Sequence, residues 1–159
     1  MPARQVKGRK VRYAVVGGGW ISQAAFMPGV GQTKNSEMTA LVTGDPVKAD
    51  RLAARYGLKS YHYDDYAKLL ASDGIDAIYL ALPNDQHERF AVPALEAGIH
   101  VLLEKPLAET PAGAIEVVEA MERAGLTPLV MQPRDALAAL SVNATAFAAA
   151  GEVMREAAS

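Results

Sequence analysis

The stretch Val11–Gln23, VRYAVVGGGWISQ, decides the fold. Its first half is a short apolar run rich in β-branched and aromatic residues, which predicts a buried strand. Three glycines, Gly17, Gly18 and Gly19, end that strand, and a helix-compatible segment begins at Trp20. A strand, a glycine turn and a helix in this order are the context in which a glycine motif indicates dinucleotide binding.

The glycine turn has the spacing G-x-G-x-x-G/A, with Ser22 in the last place, a small residue but not the standard one. Gly17 permits a tight turn, and Gly19 has no Cβ to block an approaching diphosphate. The start of the helix supplies unpaired N–H groups and a positive dipole end, and both favour a pyrophosphate. Glycine triplets also occur in plain loops, so this stretch alone leaves that simpler interpretation open.

The bulk composition is that of an ordinary globular domain. The chain has 159 residues, 50% of them hydrophobic, which suits one domain with a sizeable core. Its net charge of -2 gives no reason to expect nucleic acid or an acidic membrane as a partner. No apolar run approaches the roughly 18 residues that cross a bilayer. The chain has no cysteine, which excludes disulfides and thiolate chemistry and is compatible with the cytoplasmic location that we expect.

The first ten residues, MPARQVKGRK, form a basic arm with four cationic side chains. They contain no apolar core of the kind that a secretory signal requires. We expect this arm, residues 1–10, to be solvated and partly disordered.

Strand and helix signals alternate from the glycine turn to Met131. Strands are predicted at 11–16, 38–42, 60–63, 75–82, 100–104 and 128–131, and helices at 21–30, 46–56, 66–71, 86–97 and 111–124, the first disturbed by Pro28. Six strands joined through helices by short connections predict an α/β doubly wound parallel sheet, a Rossmann fold, over residues 11–134. The expected strand order is 3-2-1-4-5-6, with the cofactor at the carboxyl ends of the strands.

Residues 135–159 differ from the rest because alanine dominates them. Leu137, Leu140, Ala144 and Phe147 stand three and four apart, which predicts one apolar stripe on a helix. We expect this tail to pack on the domain, with self-association or a frayed end as the alternatives.

Two polar clusters follow the fourth and fifth strands, at the predicted cofactor edge. The first is LPNDQH, residues 82–87, and the second is EKP, residues 104–106. The simpler interpretation makes the first a turn and helix start with a satisfied His87 ring, and Glu104 and Lys105 a surface ion pair of little worth. Alternatively, a lysine beside a nicotinamide could orient a substrate hydroxyl or assist its proton transfer.

The motifs GGGWIS, LPNDQH and LLEKP, in this order and spacing, resemble the glucose–fructose oxidoreductase, inositol dehydrogenase and MocA family over Lys10 to Met131. Members of that family are NAD- or NADP-dependent oxidoreductases, mostly of sugars, polyols and related compounds. The resemblance implies that the pyrophosphate is held by Gly17, Gly19, Trp20 and Ile21. It implies that the ribose and nicotinamide side is lined by Leu82, Pro83, Asn84 and His87. It also makes Glu104 and Lys105 the EKP pair, with Lys105 the catalytic lysine.

The end of the second strand bears on the choice of cofactor. NAD-preferring sheets place an acidic residue there to bind the ribose 2′-OH, and the corresponding position here is Gly44. Thr43 and Lys48, with the amides of the following helix, could instead hold a 2′-phosphate. Asp45 argues the other way, because a small shift of the turn would point its carboxylate at the ribose. We therefore favour NADP, with NAD as the alternative.

The resemblance also implies a second domain that this sequence lacks. Relatives continue after the sixth strand into a large open sheet that completes the substrate pocket, and the 28 residues after Met131 are too few for one. We therefore expect an oxidoreductase for a sugar or polyol-like substrate, present as its dinucleotide-binding domain, with negligible turnover alone. The alternatives are a non-catalytic binding module, acting as a sensor or subunit, and the product of a truncated gene. An uncovered apolar face would favour a homo-oligomer.

Overall fold

The structure is a computed structural model, and it describes residue 1, residues 3–126 and the backbone of residues 129–131. Within these residues, six parallel strands form one sheet in the order β3-β2-β1-β4-β5-β6. The strands are β1 (Val11–Val16), β2 (Ser36–Val42), β3 (Lys59–Tyr61), β4 (Ala77–Leu80), β5 (His100–Glu104) and β6 (Leu129–Met131). This order confirms the predicted Rossmann fold. The predicted apolar tail, residues 135–159, lies outside the described residues.

Helices cover both faces of the sheet. They are α1 (Met27–Val30), α2 (Pro46–Tyr56), α3 (Tyr66–Ala71), α4 (His87–Glu96) and α5 (Pro111–Ala124), with short helical turns at Ser22–Phe26, Tyr63–Asp65 and Asn84–Gln86. Along β1, Ala14 and Val16 belong to a core cluster that includes residues of α3, α4 and α5, while Tyr13 and Val15 join residues of α1 and α2. Burial on both faces explains why the central strands are apolar without alternation. Within the described part of the chain, no helix has the length and apolar character needed to cross a membrane.

The first helix is distorted where the sequence predicts it. The helical run begins at Trp20, and the amide of Met27 bonds to the carbonyl of Ser22, five residues earlier. Pro28, the next residue, has no N–H to donate, so one widened turn precedes it and the helix then continues to Val30.

The basic arm differs from its predicted state. The guanidinium of Arg4 donates to three carbonyls, those of Leu70 (2.8 Å), Ser72 (2.7 Å) and Ile75 (2.6 Å). Its backbone amide bonds to the carbonyl of Gly98 at 2.9 Å. The expectation of a solvated arm was therefore wrong at Arg4, because the end of α3 and the loop after it offer carbonyls without helical partners, and a guanidinium can bond to several at once.

Asp76 anchors the amino edge of the sheet, opposite the glycine turn. Its side chain is 1% exposed and accepts hydrogen bonds from Arg9 at 2.5 Å and from Arg12 at 2.9 Å. The amide of Arg12 donates to the same carboxylate at 2.9 Å. Burial alone would raise the pKa of Asp76, but these hydrogen bonds and the charge of Arg12 outweigh it and hold the pKa below its ordinary range. This cluster joins the arm to β1 and β4.

Candidate functional site

The carboxyl ends of the central strands are level with one another. The amide of Gly17 bonds to the carbonyl of Val42 at 3.0 Å, and the amide of Ala81 bonds to that of Val16 at 3.0 Å. The glycine turn after β1 therefore lies between the segments that follow β2 and β4. Cofactors bind at this edge in doubly wound sheets.

Two glycines of the turn have different roles. Gly17 has φ +98°, and a Cβ there would overlap the carbonyl oxygen of Ala81 and stand 2.8 Å from Cδ2 of Leu82. No other residue type fits that position without strain. A Cβ at Gly19 would meet no atom within 4 Å. The backbone at Gly19 is therefore open to a ligand, beside the first turn of the helix.

Side chains fix the carbonyls of the glycine turn. Ser22, fully buried, donates from Oγ to the carbonyl of Gly17 at 2.6 Å. Gln23 donates from Nε2 to the carbonyl of Gly18 at 2.7 Å and from its amide to that of Gly19 at 3.2 Å. Ser22 thus suits the last position of the motif because its hydroxyl locks the turn. The role of Gln23 was missed, since the motif leaves that position free.

The helix after the turn begins with a solvent-facing indole. Trp20 is 80% exposed, while Ile21 is partly buried. The first N–H groups of a helix have no partner within it, and they stand at its positive end. An exposed indole at this point is also a natural fluorescence reporter for a ligand on the turn.

The segment after β2 brings the predicted phosphate-binding residues to the turn. Cδ of Lys48 lies 3.1 Å from the position that a Cβ on Gly18 would take, so the lysine stem lies over the turn. Thr43 is 6% exposed. Asp45 accepts a 3.0 Å hydrogen bond from the amide of Lys48, which confirms it as the cap of α2 and engages its carboxylate. Thr43, Gly44 and Lys48 therefore stand together beside the turn.

Two aromatic side chains that sequence reasoning missed lie over Gly44. From the position of a Cβ on Gly44, the ring of Tyr63 is 3.3 Å away and Nε2 of His62 is 3.6 Å away. Both residues follow β3, and the predicted order already placed β3 beside β2. The predicted pairing of β3 with β2 is the one signal that could have placed Tyr63 and His62 near Gly44.

The LPNDQH segment follows β4 at the same edge. Leu82 lies against Gly17, and Pro83 and Asn84 are exposed. His87 is fully buried, with Nε2 2.9 Å from the carbonyl of Leu82 and Nδ1 2.6 Å from that of Pro106. Its ring therefore joins the segments after β4 and β5. Direct contact of His87 with a ligand stays a prediction.

The EKP segment begins at Glu104, the last residue of β5, and continues beyond the strand. Glu104 accepts a 2.6 Å hydrogen bond from the hydroxyl of Tyr79, whose ring stacks on Phe26 at 3.8 Å. Burial, followed by the hydrogen bond and charge of Glu104, raises the pKa of Tyr79 above its ordinary range, so the hydroxyl remains a donor. Lys105 is exposed, and its peptide bond to Pro106 is cis. Among the described residues, Glu104 and Lys105 form no ion pair with each other.

The segments at the carboxyl ends of β2, β1, β4 and β5 lie side by side along one edge of the sheet. From β2 to β5 there are three strand spacings, roughly 15 Å. Lys48 stands near one end, the open glycine turn near the middle and Lys105 near the other. An extended anionic ligand with a reactive group at one end fits that layout. Within the described residues, no group of three or more His, Asp or Glu side chains gathers to hold a metal ion.

Comparisons with known proteins agree with this geometry. The chain is 33% identical over 115 residues to the D-xylose 1-dehydrogenase (NADP(+)) 2 of Haloferax volcanii, covering 72% of this chain and 35% of that protein. The 3-ketoreductase KijD10 of Actinomadura kijaniata, solved with NADP and TDP-benzene, has a TM-score of 0.71 at 30% identity, over 77% of this chain and 37% of that one. The WlbA dehydrogenase of Bordetella pertussis, solved with NADH and UDP-GlcNAcA, has a TM-score of 0.74 at 27% identity, over 80% and 36%.

The sequence given spans about a third of the length of the curated relatives that it matches. The matched part is the part that contains the glycine turn and the EKP segment. A sequence model of the oxidoreductase family with an NAD-binding Rossmann fold matches residues 11–132. The chain belongs to the glucose–fructose oxidoreductase, inositol dehydrogenase and MocA family of oxidoreductases.

Proposed function

We propose that the chain is the dinucleotide-binding part of an NAD(P)-dependent oxidoreductase that acts on a sugar or a polyol-like substrate. The observation that carries this proposal is the open backbone at Gly19, in a turn whose carbonyls are fixed by Ser22 and Gln23. A rigid turn at a helix start leaves amide donors for a pyrophosphate without a cost of ordering them. Trp20 and Ile21 supply the next amides.

NADP is the cofactor that we favour. Gly44 offers no carboxylate to the ribose, and the carboxylate of Asp45 is engaged in capping α2. Lys48 supplies a cation beside the turn, and Thr43 supplies a hydroxyl nearby. Relatives of both kinds are known, since KijD10 was solved with NADP and WlbA with NADH. NAD is therefore the alternative.

The proposed catalytic residue is Lys105. The nicotinamide, when bound, supplies hydride to a substrate carbon or accepts it. Nζ of Lys105 then gives a proton to the substrate oxygen during reduction, or receives one during oxidation. Glu104, held by Tyr79, places a carboxylate next to this lysine along the chain. His87 keeps the two flanking segments at a fixed separation.

A sugar or polyol-like substrate is supported by the names of relatives. They include a D-xylose dehydrogenase and a scyllo-inositol dehydrogenase, and WlbA was solved with a nucleotide sugar. We also propose a cytoplasmic location, where both dinucleotides are available. Association of two chains stays a prediction, which equilibrium sedimentation would test.

Calorimetric titration of the purified chain with NADPH and NADH tests the proposal. We expect both to bind and NADPH to bind more tightly. Lys48→Met keeps the stem over Gly18 and removes the charge, so it should weaken NADPH about tenfold and leave NADH within twofold. Lys34→Met, at an exposed site in the loop before β2, is the matched control and should change neither. Failure of the wild-type chain to bind either dinucleotide would refute the proposed function.

A further inference from the structure

We propose that His62 is a specificity-determining residue that donates a hydrogen bond from Nε2 to the 2′-phosphate of NADP. This inference rests on the proposed function, and it adds a residue to the part of the site that would hold the adenosine end of the cofactor. No pattern in the sequence marks His62, and its place follows from the fold alone.

The pairing of β3 with β2 brings His62 to the site. The amide of Thr43 bonds to the carbonyl of Tyr61 at 3.0 Å, which fixes the residue after β3 beside Gly44. Nε2 of His62 then lies 3.6 Å from the position that a Cβ on Gly44 would take. An acidic side chain at that position would recognise a ribose 2′-OH. Here Gly44 has no side chain, and the imidazole ring of His62 lies beside it instead.

The other ring nitrogen of His62 is held by Asp64. Nδ1 lies 3.2 Å from the amide of Asp64 and 3.1 Å from Oδ2 of the same residue. If Nδ1 accepts from the amide, the neutral ring has its proton on Nε2. If the ring is protonated, Nδ1 faces the carboxylate and Nε2 again has a proton. The amide bond to Nδ1, or protonation of the ring, makes Nε2 a donor to a phosphate oxygen, whereas a neutral ring with its proton on Nδ1 would donate to the Asp64 carboxylate instead.

The surroundings of His62 leave room for a ligand. Its side chain is 51% exposed. On its inner side is Tyr63, whose ring packs edge-on against Phe90 at 5.5 Å. The stem of Lys48, near the start of α2, lies over Gly18 in the neighbouring glycine turn and supplies a cation to the same edge of the sheet.

Fragments of the cofactor isolate this contact from the nicotinamide end. We would titrate the chain with 2′,5′-ADP and with 5′-AMP, and then with NADPH and NADH. His62→Phe keeps a ring and removes the donor, and it should weaken 2′,5′-ADP and NADPH five- to tenfold. The same variant should leave 5′-AMP and NADH within twofold. His62→Gln keeps an N–H donor and should recover most of the lost affinity.

Three results would overturn the inference. Equal weakening of all four ligands by His62→Phe would make His62 an adenine contact or a support of the loop, and unchanged affinities would remove it from the site. A wild-type chain that binds NADH but shows no preference for 2′-phosphate would refute this inference and keep the proposed function. Thermal unfolding of each variant, expected within about 2 °C of the wild type for a half-exposed residue, verifies the fold.

Discussion

The hydroxyl of Tyr79 donates a 2.6 Å hydrogen bond to Oε1 of Glu104, so the core fixes the carboxylate of the residue that precedes Lys105 in the chain. We expect Tyr79→Phe to lower the free energy of unfolding by about 1–2 kcal/mol, because a hydrogen bond to a charged group is lost. Urea denaturation measures this change. Tyr66→Phe, which removes a bond of 2.8 Å to a neutral carbonyl of Phe90, is the control and should lose less. A smaller loss for Tyr79→Phe than for this control would contradict the account.

Gly17 and Gly19 should respond differently to the same substitution. Gly17→Ala places a side chain at φ +98° against the carbonyl of Ala81, and it should destabilise the chain by about 2–4 kcal/mol. Gly19→Ala enters open space, so stability should change by less than about 0.5 kcal/mol. Its Cβ should instead obstruct the diphosphate and weaken NADPH at least tenfold. Denaturation and calorimetry on both variants measure the two effects, and full NADPH affinity in Gly19→Ala would contradict the proposed binding mode.

Asp76 should make the free energy of unfolding depend on pH in the acid range. Its pKa is below the ordinary value in the folded state, so the unfolded chain takes up the proton first as the pH falls. The stabilisation is therefore complete at neutral pH and decreases below about pH 4–5, where an unfolded aspartate begins to protonate. Asp76→Asn should cost about 2–3 kcal/mol at pH 7 and progressively less as the pH falls.

Urea unfolding at pH 7, 5 and 3.5 measures this effect. Asp73→Asn, at an exposed site three residues earlier, is the matched control and should follow the wild type at each pH. Parallel stability curves for Asp76→Asn and the wild type would show that the carboxylate has no linkage to folding.

His87 should stabilise the site through the two carbonyls that its ring contacts. His87→Phe leaves the carbonyls of Leu82 and Pro106 without their ring partner, so it should lower the free energy of unfolding by about 2–3 kcal/mol. Affinity for NADPH should fall only modestly, because the segments that contain Leu82 and Pro106 would be less firmly held together. Unchanged stability with a large loss of affinity would instead place His87 in contact with the cofactor.

Local signals in the sequence were enough for most of the fold. The glycine turn, the Asp45 cap with Pro46 behind it and the glycine stops after α2 and α5 are each determined by neighbours in the chain. Alternation of apolar strands with capped helices then left few topologies open. For that reason the sequence could predict the strand order, and it could predict that Thr43, Lys48 and Lys105 lie at the carboxyl edge of the sheet.

Contacts between distant segments could not be predicted in the same way. Arg4 binds carbonyls near residue 72, and His62 reaches Gly44 only because β3 pairs with β2. The two carbonyls beside His87 come from segments after different strands. Such partners depend on side-chain geometry after folding, and no spacing along the chain encodes them.

The central claim is that a dinucleotide binds on the glycine turn, and amide NMR of the 15N-labelled chain titrated with NADPH tests it most directly. The account predicts that the largest shifts occur at the amides of residues 17–21, followed by those of 43–48 and 62. Gly19→Ala should need at least tenfold more NADPH to produce the shifts at 17–21, and the spectrum of the free variant should otherwise match that of the wild type. Shifts confined to another part of the sheet, or no shifts at saturating NADPH, would contradict it.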